Sequence, residues 1–134
     1  MIDIENEIFS PIATELREEF PGIYVTGRAE NGIPQSLPCV VLSEIDNYTA
    51  KRQIDSSGIE KYVEITYKVD VFSNKSAGNK AECKAIMAAI ADRLYGLNFH
   101  REANKPEEPL NNGKIFWQSA RFVAKTDGEK LYRV

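Results

Sequence analysis

The sequence predicts an α+β domain, a mainly antiparallel sheet of about four to five strands with two helices packed against it. Three observations predict it. Ile59, Val63, Ile65, Tyr67, Val69 and Val71 alternate with Glu60, Tyr62, Glu64, Thr66, Lys68 and Asp70, the period of two that marks a strand with one core face. Two other stretches, residues 3–20 and 80–97, carry their apolar residues at helical spacing instead. The remaining strand-like stretches follow one another without an intervening helix, which favours antiparallel pairing. Burying one Val or Ile side chain is worth roughly 1.5–3 kcal/mol, so the apolar row of residues 59–71 dominates the fold.

In chain order, Ile4, Ile8, Ile12, Leu16 and Phe20 form one slowly drifting stripe, read as a first helix that Asp3 caps and Pro11 kinks. Glu5 and Glu7 suit the positive end of its dipole, and Pro21-Gly22 ends it. Residues 23–28 alternate as a short strand closed by Gly27 or by Glu30-Asn31-Gly32. Residues 39–45 are apolar on both faces, with Cys39, Val41 and Ile45 on one side and Val40 and Leu42 on the other, as expected of an inner strand. Residues 46–58 are polar and read as a long hairpin loop, a length uncommon unless the loop has a job.

The long strand leads through residues 73–80 into the second helix, which Ser76 or a neighbour would cap and Gly96 would end. Cys83, Ile86, Met87, Ile90, Leu94 and Leu97 form its core stripe, and its alanines let a sheet approach closely. Residues 98–102 read as a strand with Phe99 inward, and residues 103–113, with Pro106, Pro109 and Gly113, as an irregular connection. Residues 114–125 form the next strand, with Phe116, Ala120, Phe122 and Ala124 on one face and Trp117, Arg121 and Val123 on the other. A turn at Thr126-Asp127-Gly128 leads to a last short strand at residues 130–133. The 134 residues show neither a repeat nor a domain boundary and read as one domain, 1–134.

Hydrophobic residues at 43% and charged residues at 28% are those of an ordinary globular protein, and no apolar run reaches the roughly 20 residues of a membrane helix. Asp3 and Glu5 stand where a secretory signal would carry Lys or Arg, so the chain is expected to remain in the cytoplasm of the cell that makes it. A net charge of −3 argues against a dedicated nucleic-acid binder, which needs a basic excess on one face. Cys39 and Cys83 lack the spacing of a zinc or redox pair and read as buried thiols.

Residues that could carry catalysis are sparse. His100 is the single histidine, which excludes a histidine-paired metal site and leaves little scope for a Ser-His-Asp or Cys-His system. No serine sits in a Gly-x-Ser-x-Gly elbow. Residues 73–80 resemble a phosphate loop only superficially, because Gly78 is followed by Asn79 rather than by Lys-Ser/Thr. The carboxylates are scattered on solvent faces. The sequence therefore predicts a protein that is not an enzyme and binds neither metal nor cofactor nor small-molecule substrate.

What remains is suited to contact. The polar loop carries Lys51, Arg52, Gln53 and Asp55; Tyr62, Phe72 and Trp117 lie on outward strand faces; Arg121 neighbours Trp117; Tyr132 lies in a terminal strand able to pair with another chain. These nine residues are the candidate subunit or tail interface. For Trp117 the plainer reading is a core tryptophan with its N–H bonded. A ligand-binding or regulatory α+β domain is the alternative, with its ligand between sheet and helices.

Residues 1–8 (Met-Ile-Asp-Ile-Glu-Asn-Glu-Ile), Phe20-Pro21-Gly22-Ile23, Pro38-Cys39-Val40 followed by Glu44 and Asp46-Asn47, and above all residues 67–75 leading through Gly78 into residues 80–87 carry a resemblance, which Leu131-Tyr132-Arg133 completes. The chain resembles the tail terminator proteins, also called tail-completion or minor capsid proteins, of long-tailed phages and prophages of Gram-positive bacteria. The resemblance implies a structural subunit that assembles as a homohexameric ring, caps the tail tube and forms the head-tail joining surface. Its implied partners are itself, the tail tube protein and the head-tail connector, with DNA only in passage through the lumen; no membrane is involved. Its implied place is the virion, at the head-tail junction, after assembly in the host cytoplasm. The acidic balance suits a channel through which DNA must slide.

Overall fold

The computed structural model describes residues 1–28, 34–49 and 62–134. Helix α1 spans Glu5–Glu19 and is followed by strands β1 (Tyr24–Thr26), β2 (Cys39–Tyr48) and β3 (Val63–Ser73). Helix α2 spans Asn79–Gly96, and β4 (His100–Pro106), β5 (Phe116–Thr126) and β6 (Leu131–Tyr132) complete the chain. The strands make one sheet in the order β1-β2-β3-β5-β4, with β6 on β5 beyond the end of β4. The sheet thus has six strands among the described residues, more than expected, because β1 and β6 join it as three- and two-residue pieces.

The core forms where the periodic rows meet. Val63, Ile65, Tyr67, Val69 and Val71 of β3 face Val40 and Leu42 of β2 and Ala120, Phe122 and Ala124 of β5 in one buried cluster. Ile8, Ile12 and Leu16 of α1 and Cys83, Ile86, Ile90 and Leu94 of α2 close over it. Both helices therefore cover the same face of the sheet. Arg93 of α2 ties them together, its guanidinium donating to the Glu15 and Glu19 carboxylates of α1. Of the alanines of α2 only Ala91 is buried; Ala81, Ala85 and Ala88 are exposed, so close approach to the sheet rests on the larger residues and the alanines serve helix propensity.

The helix ends differ in part from expectation. Asp3 Oδ1 accepts the Glu5 N–H at 3.1 Å, although Ile4 occupies the capping position, and α1 runs continuously through Pro11. Helix α2 begins after Gly78 at φ 91°, a backbone region that glycine enters without penalty; Ser76 is exposed and outside the cap. Its other end is set by Asn98 at φ 70°, not by Gly96, and Asn98 Nδ2 donates to Leu131 O at 2.8 Å, fixing β6. The phosphate-loop look-alike is closed on itself: Ser73 Oγ donates to Glu82 Oε1 at 2.6 Å, which puts a carboxylate where an anion would need a donor.

Three strand assignments also change. Strand β2 continues through Asp46, Asn47 and Tyr48, which pair with Thr66, Ile65 and Glu64, so the first three residues of the expected loop belong to the strand, while residues 50–58 of it lie outside the described residues. A bulge between Glu44 and Asp46 expels Ile45, which is 44% exposed instead of sharing the face of Cys39 and Val41. Strand β4 runs through residues 103–106, which were expected to be irregular, because pairing with β5 needs only backbone groups. It carries a bulge between Arg101 and Ala103 and ends on Pro106. Strand β1 pairs with β2 in parallel, the exception to antiparallel pairing; the intervening residues 27–38 are long enough for the chain to return in the same direction. Cys39 and Cys83 are buried on opposite faces of the sheet.

Candidate subunit interface

Among the described residues, no helix covers the second face of the sheet. A small cluster of Cys39, Val41, Phe72 and Ile115, with Leu37, Leu110 and Trp117 against it, covers one end. There the Trp117 ring stacks on Phe72 at 5.3 Å between centroids and 24° between planes. The Trp117 Nε1–H donates to Asp70 Oδ1 at 3.0 Å, and Lys68 Nζ lies 3.7 Å from Asp70 Oδ2. Asp70, expected to be a solvent-facing residue, is 7% exposed and is held by these two donors. Phe72 is likewise 7% exposed, so it is a floor for Trp117 and not an outward aromatic.

Beside the indole lies an open cleft of about 540 Å³ lined by Lys68, Lys105, Trp117, Ser119 and Arg121, with Ala103 and Glu107 at its rim. The antiparallel register sets Lys68 directly opposite Arg121 and Ser119 between Asp70 and Lys105. Like charges directly opposite each other on a sheet repel. Lys68 is offset by Asp70, and Lys105 by Glu107 at 3.3 Å. Arg121 is exposed and, among the described residues, has no carboxylate within ion-pair distance.

Against protein-family models and curated protein sequences, this chain has no match.

Of the nine residues expected at an interface, Phe72, Trp117 and Arg121 share this open face, the first as a buried support. Lys51, Arg52, Gln53 and Asp55 lie outside the described residues. Tyr62 and Tyr132 form a separate knot at the other end of β5, edge to face at 5.8 Å, with Lys125 Nζ 5.2 Å above the Tyr62 ring. The Tyr132 hydroxyl donates to Asp127 Oδ2 at 3.0 Å, while Asp127 Oδ1 accepts the Glu129 and Lys130 N–H groups at 2.9 and 2.8 Å. Those backbone donors hold the Asp127 carboxyl below its ordinary range. Both tyrosines are half-buried and committed to closing the β5–β6 turn.

Lys68, Asp70, Lys105, Glu107 and Ser119 were not singled out from sequence. Lys68 and Asp70 do carry a local signal, two residues apart on the non-core side of the strongest strand, but their relation to Trp117 and Arg121 exists only through the register.

A different charge pattern occupies the helix face. Asp3, Glu5, Glu7 and Glu44 gather where the start of α1 crosses β2: Glu5 Oε2 accepts the Glu44 N–H at 2.9 Å, and the Tyr67 hydroxyl donates to Glu5 O at 3.1 Å. Burial first, then the negative charges of Glu5 and Asp3, push the Glu44 carboxyl up. Its Oε1 is buried and has no hydrogen-bond partner among the described residues. Among those residues no group of His, Cys, Asp or Glu is placed to hold a metal ion, and no helix is long and apolar enough to cross a membrane.

Proposed function

We propose that this chain is a structural subunit of a phage tail, a terminator that caps the tail tube as a homohexameric ring and presents the head-tail joining surface. The observation that carries the reading is the division of the sheet. One face is sealed by two helices, while the other presents a half-buried tryptophan, set by its own hydrogen bond, beside an arginine and two lysines. A fixed aromatic next to exposed Arg is the make-up of an interface anchor. Ring closure needs each copy to offer two different surfaces, one to each neighbour, and two such surfaces of opposite charge are available. The resemblance of residues 1–8 and 67–87 to tail terminators supplies the setting.

The test is native mass spectrometry over a concentration series with negative-stain images of the same sample, followed by addition of purified tail tubes. Six-membered rings, or capping of tube ends, is the expected result. A chain that stays monomeric and ignores tube ends overturns the reading.

The alternative, a non-catalytic ligand-binding domain, has one observation in its favour. Between α2 and β4 a cleft of about 210 Å³ is lined by Lys84, Arg101, Asn104 and Gln118. Gln118 is 5% exposed; its Nε2 donates to Asn104, but its Oε1 has no partner among the described residues. A small ligand bringing a donor to Gln118 Oε1 would raise the melting temperature in a screen in which the tail tubes have no effect.

A further inference from the structure

We propose that the cationic cleft around Trp117 on the open sheet face is the acceptor for the acidic start of α1 on a second copy of this chain. The inference rests on the ring reading above and names the two surfaces that would meet. Two observations carry it independently. On the open face the register forces Lys68 and Arg121 together and adds Lys105, and of these Arg121 lacks an ion-pair partner among the described residues. Asp70 offsets Lys68 and Glu107 offsets Lys105, which leaves Arg121, set opposite Lys68, as the uncompensated charge of the cleft among the described residues and points to an external anion.

The second observation is the matching excess of negative charge. Asp3, Glu5, Glu7 and Glu44 crowd one corner of the helix face, and all four bear on the Tyr67 hydroxyl, whose ionisation they and its burial oppose. Asp3 and Glu7 are exposed. The acidic corner and the cationic cleft lie on opposite faces of one sheet, so no copy can bring its own two patches together. Each copy can satisfy a neighbour on either side. A contact of this head-to-tail kind propagates from copy to copy and closes if the rotation between copies allows.

The indole gives the cleft an apolar wall against which the stems of glutamate side chains can pack, and Ser119 adds a hydroxyl for a carboxylate oxygen. Complementary charge of this sort steers encounter and fixes register, and it weakens with salt.

Charge reversal in two complementary variants tests it. One carries Lys105→Glu and Arg121→Glu; the other carries Asp3→Lys and Glu7→Lys. All four side chains are exposed, and circular dichroism melts establish that each variant folds. In the first variant both patches are acidic, and in the second the two introduced lysines cancel Glu5 and Glu44 in the acidic corner, so each is expected to self-associate at least tenfold more weakly than the parent chain. Mixed in equal amounts, they are expected to regain assembly at the parental concentration, as species that native mass spectrometry resolves with equal numbers of each. Folded variants that assemble alone like the parent overturn the inference while leaving the ring reading standing, as does a mixture that fails to regain assembly. A parent chain that neither self-associates nor binds tubes removes both.

Discussion

The indole of Trp117 and the carboxylate of Asp70 form a 3.0 Å hydrogen bond across the β3–β5 pair, one step diagonal to the direct partners Phe72 and Ser119. That bond fixes the indole in the plane that lets it stack on Phe72 and form the wall of the cleft. Replacing Trp117 with Phe keeps much of the stack and leaves a buried carboxylate oxygen without its donor, an expected loss of about 1–3 kcal/mol in urea denaturation. Trp117→Ala, which also opens the Phe72 floor, is expected to cost about 3 kcal/mol, the low end for an aromatic truncation because the ring is only half-buried. A double-mutant cycle with Asp70→Ala that shows no coupling would deny the bond any role.

Tyr67 makes the chain sensitive to alkali. Its hydroxyl is buried beneath α1, donates to Glu5 O, and faces Glu44, Glu5, Asp3 and Glu7, so its ionisation is strongly raised, first by burial and then by those charges. A raised acid stabilises the fold fully below its unfolded value, about 10 for tyrosine, and that stability drains away as the pH climbs above it. Thermal melts should fall more steeply above about pH 10 for the parent chain than for Tyr67→Phe. At neutral pH Tyr67→Phe should cost only about 0.5–1.5 kcal/mol.

The opposite sign applies at Asp127. Backbone donors from Lys130 and Glu129 hold its carboxyl low, so it stabilises the β5–β6 turn above the ordinary carboxylate range and releases it as pH falls through the lowered value. Amide exchange at Lys130, together with the Tyr132 ring resonances, should report loosening of the turn in acid before the core strands respond. In Asp127→Ala the same loosening should be present at every pH.

Cys83 is expected to be inert in the folded protein. Its thiol lies 3.6 Å from Val71 O and 3.5 Å from Phe116 O, and burial, with Glu82 nearby, pushes its ionisation up to about 12. The thiolate is the reacting species. Alkylation at neutral pH should therefore follow the kinetics of global unfolding, and rapid labelling without unfolding would contradict the burial.

Much of this fold was readable because its signals are local. The alternation of residues 63–71 and the stripes of α1 and α2 each encode which face is buried within a few residues, and the buried set matches them. What could not be read was set by partners distant in sequence. The residues of β4 are all exposed or half-buried, with no apolar row to mark them, and form a strand only because β5 offers them a backbone. The extension of β2 to Tyr48 depends on a bulge that one expelled isoleucine gives no way to foresee. The candidate site divides in the same manner. Trp117 and Arg121 stand out by residue type, whereas Lys68 and Asp70 matter only through a β3–β5 register that pairs residues about fifty positions apart, and Lys105 only through its β4–β5 pairing with Ser119.

The shape of β4 also governs how this protein behaves when crowded. Its outer backbone is the long rim of the sheet, and such a rim normally invites another strand to add. Here Arg101, Glu102 and Lys105 put charge along it, the bulge between Arg101 and Ala103 breaks its hydrogen-bond spacing, and Pro106 has no N–H to give. An incoming strand would find a template interrupted in the middle and at the end. Concentrated stocks should accordingly resist fibre growth along the sheet, and straightening the rim by deleting Glu102 and replacing Pro106 with Val should turn a well-behaved chain into one that binds amyloid dyes.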